Sequence, residues 1–259
     1  SCYQNAVRGE PVLTPDALIF FRRWKNNRNA GEAFAKLAAD YAEALGIAED
    51  LAKRDFRTLI EVDYFEEVDR AIIRALVHEV SAQTVAQADV LSWIRQRRQS
   101  HWYGAYRDLY EAIGFAAEFQ QAMAQAALGM ASLADGVQRY AKSWFRIDQL
   151  YRKFVWHMQK SGQATLMREL SEQVENHYVN SYLLRLNEAW QAHVDVAETW
   201  SAEPIPAQRG FYREQVGDFR RRDQKICVII SDALRYEIAE ELLGRIRSLD
   251  RYEAVIEPV

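Results

Sequence analysis

The run Ile226-Cys227-Val228-Ile229-Ile230 constrains the fold of this chain more than any other stretch. Apolar and largely β-branched, it reads as a strand buried on both faces, the pattern of parallel sheets covered by helices. Directly after it come Ser231 and Asp232, then Leu234, Ile238, Leu242, Ile246 and Leu249, spaced along one face of an amphipathic helix. Asp232 therefore falls where a strand gives way to a helix, the edge at which open α/β sheets bind ligands. A carboxylate there is costly to bury unless something cationic, such as a metal, pairs with it. The alternative is a helix N-cap, a role that Ser231 and Asp232 both suit. Arg235 sits in the first helical turn, where the macrodipole disfavours a cation. It reads as a contact to phosphate or as half of a structural ion pair, and Glu237 as solvent-facing or paired with a basic neighbour.

Ahead of this run the periodicity is helical. Thr14-Pro15-Asp16 reads as an N-cap with proline in the first turn, opening a helix through Trp24. Ala33, Leu37, Tyr41 and Leu45 continue at helical spacing to Gly46, placed as a C′ glycine. Helical segments follow around Phe65 to Ala75, Val90 to Ile94, Trp102 to Phe119, Ala122 to Tyr140, and Trp144 to Met158, the last ending near Gly162. Val179, Leu183, Leu186, Trp190, His193, Ala197 and Trp200 alternate gaps of four and three, a long helix laid against a partner within the domain. Residues 203–210, Glu-Pro-Ile-Pro-Ala-Gln-Arg-Gly, cannot continue a helix and read as a linker.

After the helix ending near Leu249, residues 252–256 read as a second strand, which completes a right-handed βαβ unit. The fold class is thus mainly α: an all-helical domain over residues 1–202, the linker, then a truncated α/β (βαβ) start over 211–259. Two parallel strands do not make a stable sheet alone, and the sequence stops at Val259, directly after the second of them. This sets the expectation of a piece of a longer protein, cut inside its α/β domain. The alternative is a sheet completed by the helical part or another chain.

Composition excludes several classes. The 259 residues carry a net charge of −4 and a sequence pI near 5.8, which argues against a wholly basic, nucleic-acid-coating protein but leaves room for a local basic patch. No apolar stretch approaches the roughly 18 residues of a bilayer span, and no signal peptide is evident, so no membrane partner and a cytoplasmic location are expected. Cys2 and Cys227 lack metal-ligand spacing, and Cys227 reads as core. The histidines at 78, 101, 157, 177 and 193 fall in helical segments without metal-ligand spacing, and His193 reads as a hydrogen-bonded core residue. No glycine-rich phosphate loop occurs.

Basic clusters stand at Arg22-Arg23-Trp24-Lys25, at Arg95-Gln96-Arg97-Arg98 and at Arg220-Arg221-Arg222, each beside aromatics. That composition suits phosphate contact with stacking. Arg95, Arg97 and Arg98 are the candidate nucleic-acid contacts, and a solvated helix face is the alternative.

The stretch Val228-Ile229-Ile230-Ser231-Asp232-Ala233-Leu234-Arg235-Tyr236-Glu237 resembles the opening motif of the PglZ family, proteins of BREX bacteriophage-defence systems that carry a domain of the alkaline phosphatase superfamily. The specific likeness covers about 20 residues, and the helix-rich region ahead of it fits the family's layout. The resemblance implies a metal-dependent phosphoesterase in which Asp232 ligates a divalent ion, Zn²⁺ first, with Mg²⁺ or Mn²⁺ as alternatives. It also implies other BREX defence proteins as partners and DNA as a candidate substrate. The family's hydroxyl nucleophile and further ligands find no match after Asp232, because Ser248 lies at the far end of the helix and no histidine follows. No catalytic residue is therefore assigned in this chain, the nucleophile is expected beyond Val259, and these residues alone are expected to be inactive. Two rival readings are a non-catalytic helical scaffold for a defence complex and a nucleic-acid-binding helical module.

Overall fold

In a computed structural model, residues 14–25, 27, 30–199, 201–232 and 234–257 are described, with side chains from residue 19 onward. Helical spacing sets the order of elements. They are α1 (Thr14–Lys25), α2 (Gly31–Ala44), α3 (Ile47–Leu51), α4 (Glu66–Ser81), α5 (Gln87–Arg97), α6 (Tyr103–Gln125), α7 (Leu133–Arg139), α8 (Phe145–Ser161), α9 (Ala164–Asn176), α10 (Leu184–Val194), α11 (Gly217–Arg221) and α12 (Tyr236–Ser248). Wider π-helical turns join α7 to α8 (Tyr140–Trp144) and α9 to α10 (His177–Leu183). A third, Tyr212–Val216, precedes α11.

Most helical expectations hold. Gly46 follows the C-cap of α2 at φ +60°, and its N–H closes on Glu43 O, the left-handed exit that a Cβ disfavours. Gly162 ends α8 the same way at φ +65°. The N-cap at Thr14, Cys2, Trp200 and Val259 lie outside the residues or side chains described. The Ala- and Gln-rich stretch departs from its propensity: the chain leaves the helix after Gln125 and re-enters at Ser132, whose Oγ accepts from Asp135 N at 3.1 Å. A local cap there competes successfully with helix propensity. The seam is half-buried rather than a sealed interface. Val179 is exposed, and Tyr182 is the fully buried side chain instead. His193 makes its expected hydrogen bond, to Met130 O at 3.0 Å.

Among the described residues no strand forms, so the expected βαβ start over 211–259 is corrected to a helix between two irregular segments. Residues 224–231 and 252–257 take no regular structure, and Ile229 and Ile230 are 87% and 86% exposed. An extended segment needs a neighbouring strand for its backbone N–H and C=O groups, and among the described residues none stands beside it. Cys227, expected in the core, is exposed for the same reason.

The chain divides into two compact units, which do not separate at the 203–210 linker. The first comprises residues 1–117 and 154–171, the second 118–153 and 172–259. In the first, Phe34, Ile72, Ile73, Leu76, Val90, Ile113 and Phe154 are at most 1% exposed. Arg97 lies at the centre of this core, itself 1% exposed. Its Nη2 meets Asp69 Oδ2 at 2.5 Å, and its Nη1 donates to Ile60 O and Val62 O. Tyr110 donates to the same Asp69 at 2.6 Å. Burial pushes the Asp69 carboxyl up from its ordinary range, against the pull of Arg97 and Tyr110. The expectation that Arg97 contacts nucleic acid is therefore corrected: with Nε on Asp69 Oδ1 as well, four of its N–H donors are spent inside the core. In the second unit Trp144, Ile147, Leu150, Val174 and Tyr182 form the interior.

Candidate functional site

The segment carrying Asp232 is fixed by the first turn of α12. Arg235 is the extended N-cap residue, and no side chain caps the helix. Tyr236 packs edge-on against Phe145 and Tyr140, with ring centroids at 5.6 and 6.0 Å, and its hydroxyl reaches Ala141 O at 3.3 Å. Glu237 is wholly buried. Its Oε1 lies 2.9 Å from Arg235 Nη2 and 3.5 Å from Arg152 Nε. Neither of its oxygens, nor Arg152 Nε, is aligned for a hydrogen bond, so the charges are matched by proximity. One turn on, Glu241 accepts from Arg152 Nη2 at 2.7 Å and lies 3.6 Å from Lys153 and 3.1 Å from Arg245. Gln149 Nε2 donates to the Glu237 carbonyl. α12 is thereby held on α8 by its second and sixth residues, a turn apart on one face.

Beneath this contact lies a cluster of phenols around Asp148. Tyr140 donates to its Oδ2 at 2.6 Å and Tyr178 to its Oδ1 at 2.8 Å. The Tyr182 hydroxyl lies between Asp148 Oδ2 (3.4 Å) and Trp144 O (3.3 Å). All three tyrosines belong to the π-helical turns, irregularities that frequently accompany functional sites. Tyr151 stacks on Tyr178 at 3.7 Å and donates to Glu175. Burial raises every one of these phenols, with the neighbouring carboxylate adding to it, and Tyr151 is pushed up to about 12. At neutral pH they are donors, not nucleophiles or bases, so the cluster positions rather than reacts.

The residues expected to act at this end are placed as follows. Asp232 lies in an exposed turn, and Arg235, with its side chain 61% exposed, takes the structural ion-pair role through Glu237. Glu237 faces the protein rather than solvent, paired with basic neighbours. Among the described residues no group of three or more His, Cys, Asp or Glu side chains stands close enough to share a cation. The donor set present is one carboxylate, which does not fit a metal site by itself. Ser248, the one serine on α12, turns back to donate to Arg245 O at 2.7 Å. The position expected for the nucleophile, beyond Val259, is outside the described residues, which end at residue 257. In the first unit, Arg95 is exposed on α5, and Arg98 pairs with Glu111 at 2.9 Å. Sequence reasoning missed Asp148, Tyr140, Tyr178, Tyr182 and Arg152. The density of tyrosines between residues 140 and 182 was the available signal.

No helix among the described residues is long and apolar enough to cross a membrane. Residues 211–259 match the model of the BREX system PglZ alkaline phosphatase-like domain. Over 235 residues the chain is 29% identical to the alkaline phosphatase-like protein PglZ of Bacillus cereus (strain H3081.97), covering 89% of this chain and 28% of that protein. It is 27% identical over 261 residues to the alkaline phosphatase-like protein BrxZ of Escherichia coli O9:H4 (strain HS), covering 94% of this chain and 30% of that one. The likeness thus runs through the helical region as well as the matched domain, while the chain spans less than a third of either relative. No solved structure matches the chain.

Proposed function

We propose, from the chain's membership of the PglZ family, that it forms the helical region and the opening of the alkaline-phosphatase-like domain in a metal-dependent phosphoesterase of a BREX-type defence system. The observation that carries this reading is the Ser231-Asp232 junction within the matched domain, presented to solvent at the head of a helix anchored through Glu237 and Glu241. Asp232 contributes one ligand to a divalent ion, Zn²⁺ first and Mg²⁺ or Mn²⁺ as alternatives. The remaining ligands and the nucleophile come from the part of the whole protein beyond Val259. Bound there, the ion would supply Lewis-acid stabilisation of charge on phosphate oxygens.

The role of this chain's own residues is positional. Glu237 and Tyr236 hold the first turn of α12, and so fix where the chain enters from Asp232. Residues 226–230 and 252–256 become strands once neighbours satisfy their backbone groups and cover Ile229, Ile230 and Val255, the last now 82% exposed. Other proteins of the defence system are the expected partners, and DNA the expected substrate class.

The test is hydrolysis of a phosphodiester by the whole protein with Zn²⁺, Mg²⁺ or Mn²⁺, comparing wild type with Asp232→Ala. Loss of activity at unchanged thermal stability supports the reading. Equal activity of the two proteins, or inertness with every metal, refutes it.

A further inference from the structure

Two basic clusters far apart in the sequence meet in one groove of the first unit. Arg22 and Lys25 come from α1 and Arg95 from α5, and together with Tyr64 they line an open cleft of roughly 680 Å³. The donors differ in what they already hold. Lys25 is committed to Asp63, both oxygens at 2.6 Å. Arg22 gives only its Nε, to the Tyr64 hydroxyl at 3.0 Å, and that contact orients its exposed guanidinium. Arg95 has no ion-pair partner among the described residues and is exposed. The Ser100 hydroxyl, also in the lining, is buried and has no hydrogen-bond partner among the described residues. A buried polar atom without a partner costs free energy until a ligand or water satisfies it.

We propose that this groove binds the phosphate backbone of a nucleic-acid strand, with Arg22 and Arg95 on phosphate oxygens and Ser100 donating its hydroxyl to the same backbone. Two arginines with spare donors suit phosphate, which takes parallel N–H bonds from a guanidinium. Glu61 is the one lining carboxylate without an ion-pair partner among the described residues, since Lys25 neutralises Asp63. It opposes an anionic ligand, and its removal therefore favours binding. None of the residues lining the groove belongs to the segment that carries Asp232, so this inference does not depend on the metal-dependent reading.

The test is fluorescence anisotropy of a labelled single-stranded DNA oligonucleotide with the 259-residue chain, across a salt series. Arg95→Glu and Arg22→Glu are each expected to weaken binding at least about tenfold and to lower the salt slope by about one. Glu61→Gln is expected to strengthen it. Arg185→Glu, at an exposed arginine that does not line the groove, makes the same change in net charge and leaves affinity within about twofold. Circular dichroism checks that each variant is folded. Arg95→Glu and Arg22→Glu binding no worse than Arg185→Glu would overturn the proposal. So would displacement of the strand by free inorganic phosphate at matched phosphate concentration, which would mark a small-anion site.

Discussion

Glu237 and Arg152 meet where the carboxylate has no access to water: Oε1 stands 3.5 Å from Nε, and Glu237 is 0% exposed. The other cation near Glu237, Arg235, is largely in solvent. Arg152 is the more buried of the two cations that face this charge. Its Nη2 carries Glu241 as well, so one arginine ties two turns of α12 to α8.

Removing that cation should cost more than removing the charge it serves. Arg152→Ala leaves the buried carboxylate to the solvent-exposed Arg235 alone and is expected to destabilise the second unit by about 1–3 kcal/mol. Glu237→Gln keeps the shape, drops the charge and should cost less than half as much. Urea unfolding of both variants makes the comparison. Equal losses would contradict the role given to Arg152.

Arg97 and Arg95 sit two residues apart on α5 with opposite fates. Arg97→Ala leaves Asp69 buried beside Tyr110 without its cation and should cost about 3–5 kcal/mol. Arg95→Ala lies on the surface and should change stability by no more than about 0.5 kcal/mol. Chemical denaturation of the two single variants distinguishes these outcomes.

Asp148 accepts from phenols on both π-helical turns. Asp148→Ala orphans the hydroxyls of Tyr140 and Tyr178 and should cost about 2–6 kcal/mol, at about 1–3 kcal/mol for each half-buried donor left without a partner. Asp148→Asn keeps an acceptor and should lose less. Near-ultraviolet circular dichroism, sensitive to the stacked Tyr151 and Tyr178, should change in the alanine variant first.

Glu241 gives the α12 contact a pH dependence. Burial would raise its carboxyl, but the hydrogen bond from Arg152 and the charges of Lys153 and Arg245 outweigh it and hold the group below its ordinary value. A depressed carboxyl stabilises the fold fully above its unfolded value, and that contribution is lost as pH falls through the folded one. Stability should therefore decline on acidification below about pH 4.5. Glu241→Gln should remove part of that decline while lowering stability at neutral pH. Thermal melts across the acid range provide the check.

The helical architecture was legible where periodicity and terminators agreed, as at Gly46 and Gly162, because a left-handed exit leaves a residue-type signature. The break after Gln125 was not, since a capping serine inside an Ala- and Gln-rich stretch looks like one more tolerated helical residue. The strand reading of residues 226–230 rested on apolar, β-branched character. That character states what the segment can do beside other strands and says nothing of whether they are present. At the candidate site the sequence pointed to Asp232 and Arg235 through their place at a strand end. Glu237 looked like a surface residue, because its partners Arg152 and Gln149 lie more than eighty residues away in the chain. Arg97 was misread for the same reason: a basic cluster in sequence does not say which arginine points inward.

The central claim is that Asp232 is a metal ligand of the whole protein, and the most direct measurement is metal-dependent stabilisation. Thermal unfolding of the chelator-stripped whole protein is followed with and without added Zn²⁺ for wild type, Asp232→Ala and Asp232→Asn. A ligand that binds only the native state raises the midpoint in proportion to its affinity. The account predicts a clear upward shift for wild type, and a markedly smaller one for both variants with unchanged metal-free midpoints. The same shift in all three proteins would contradict it.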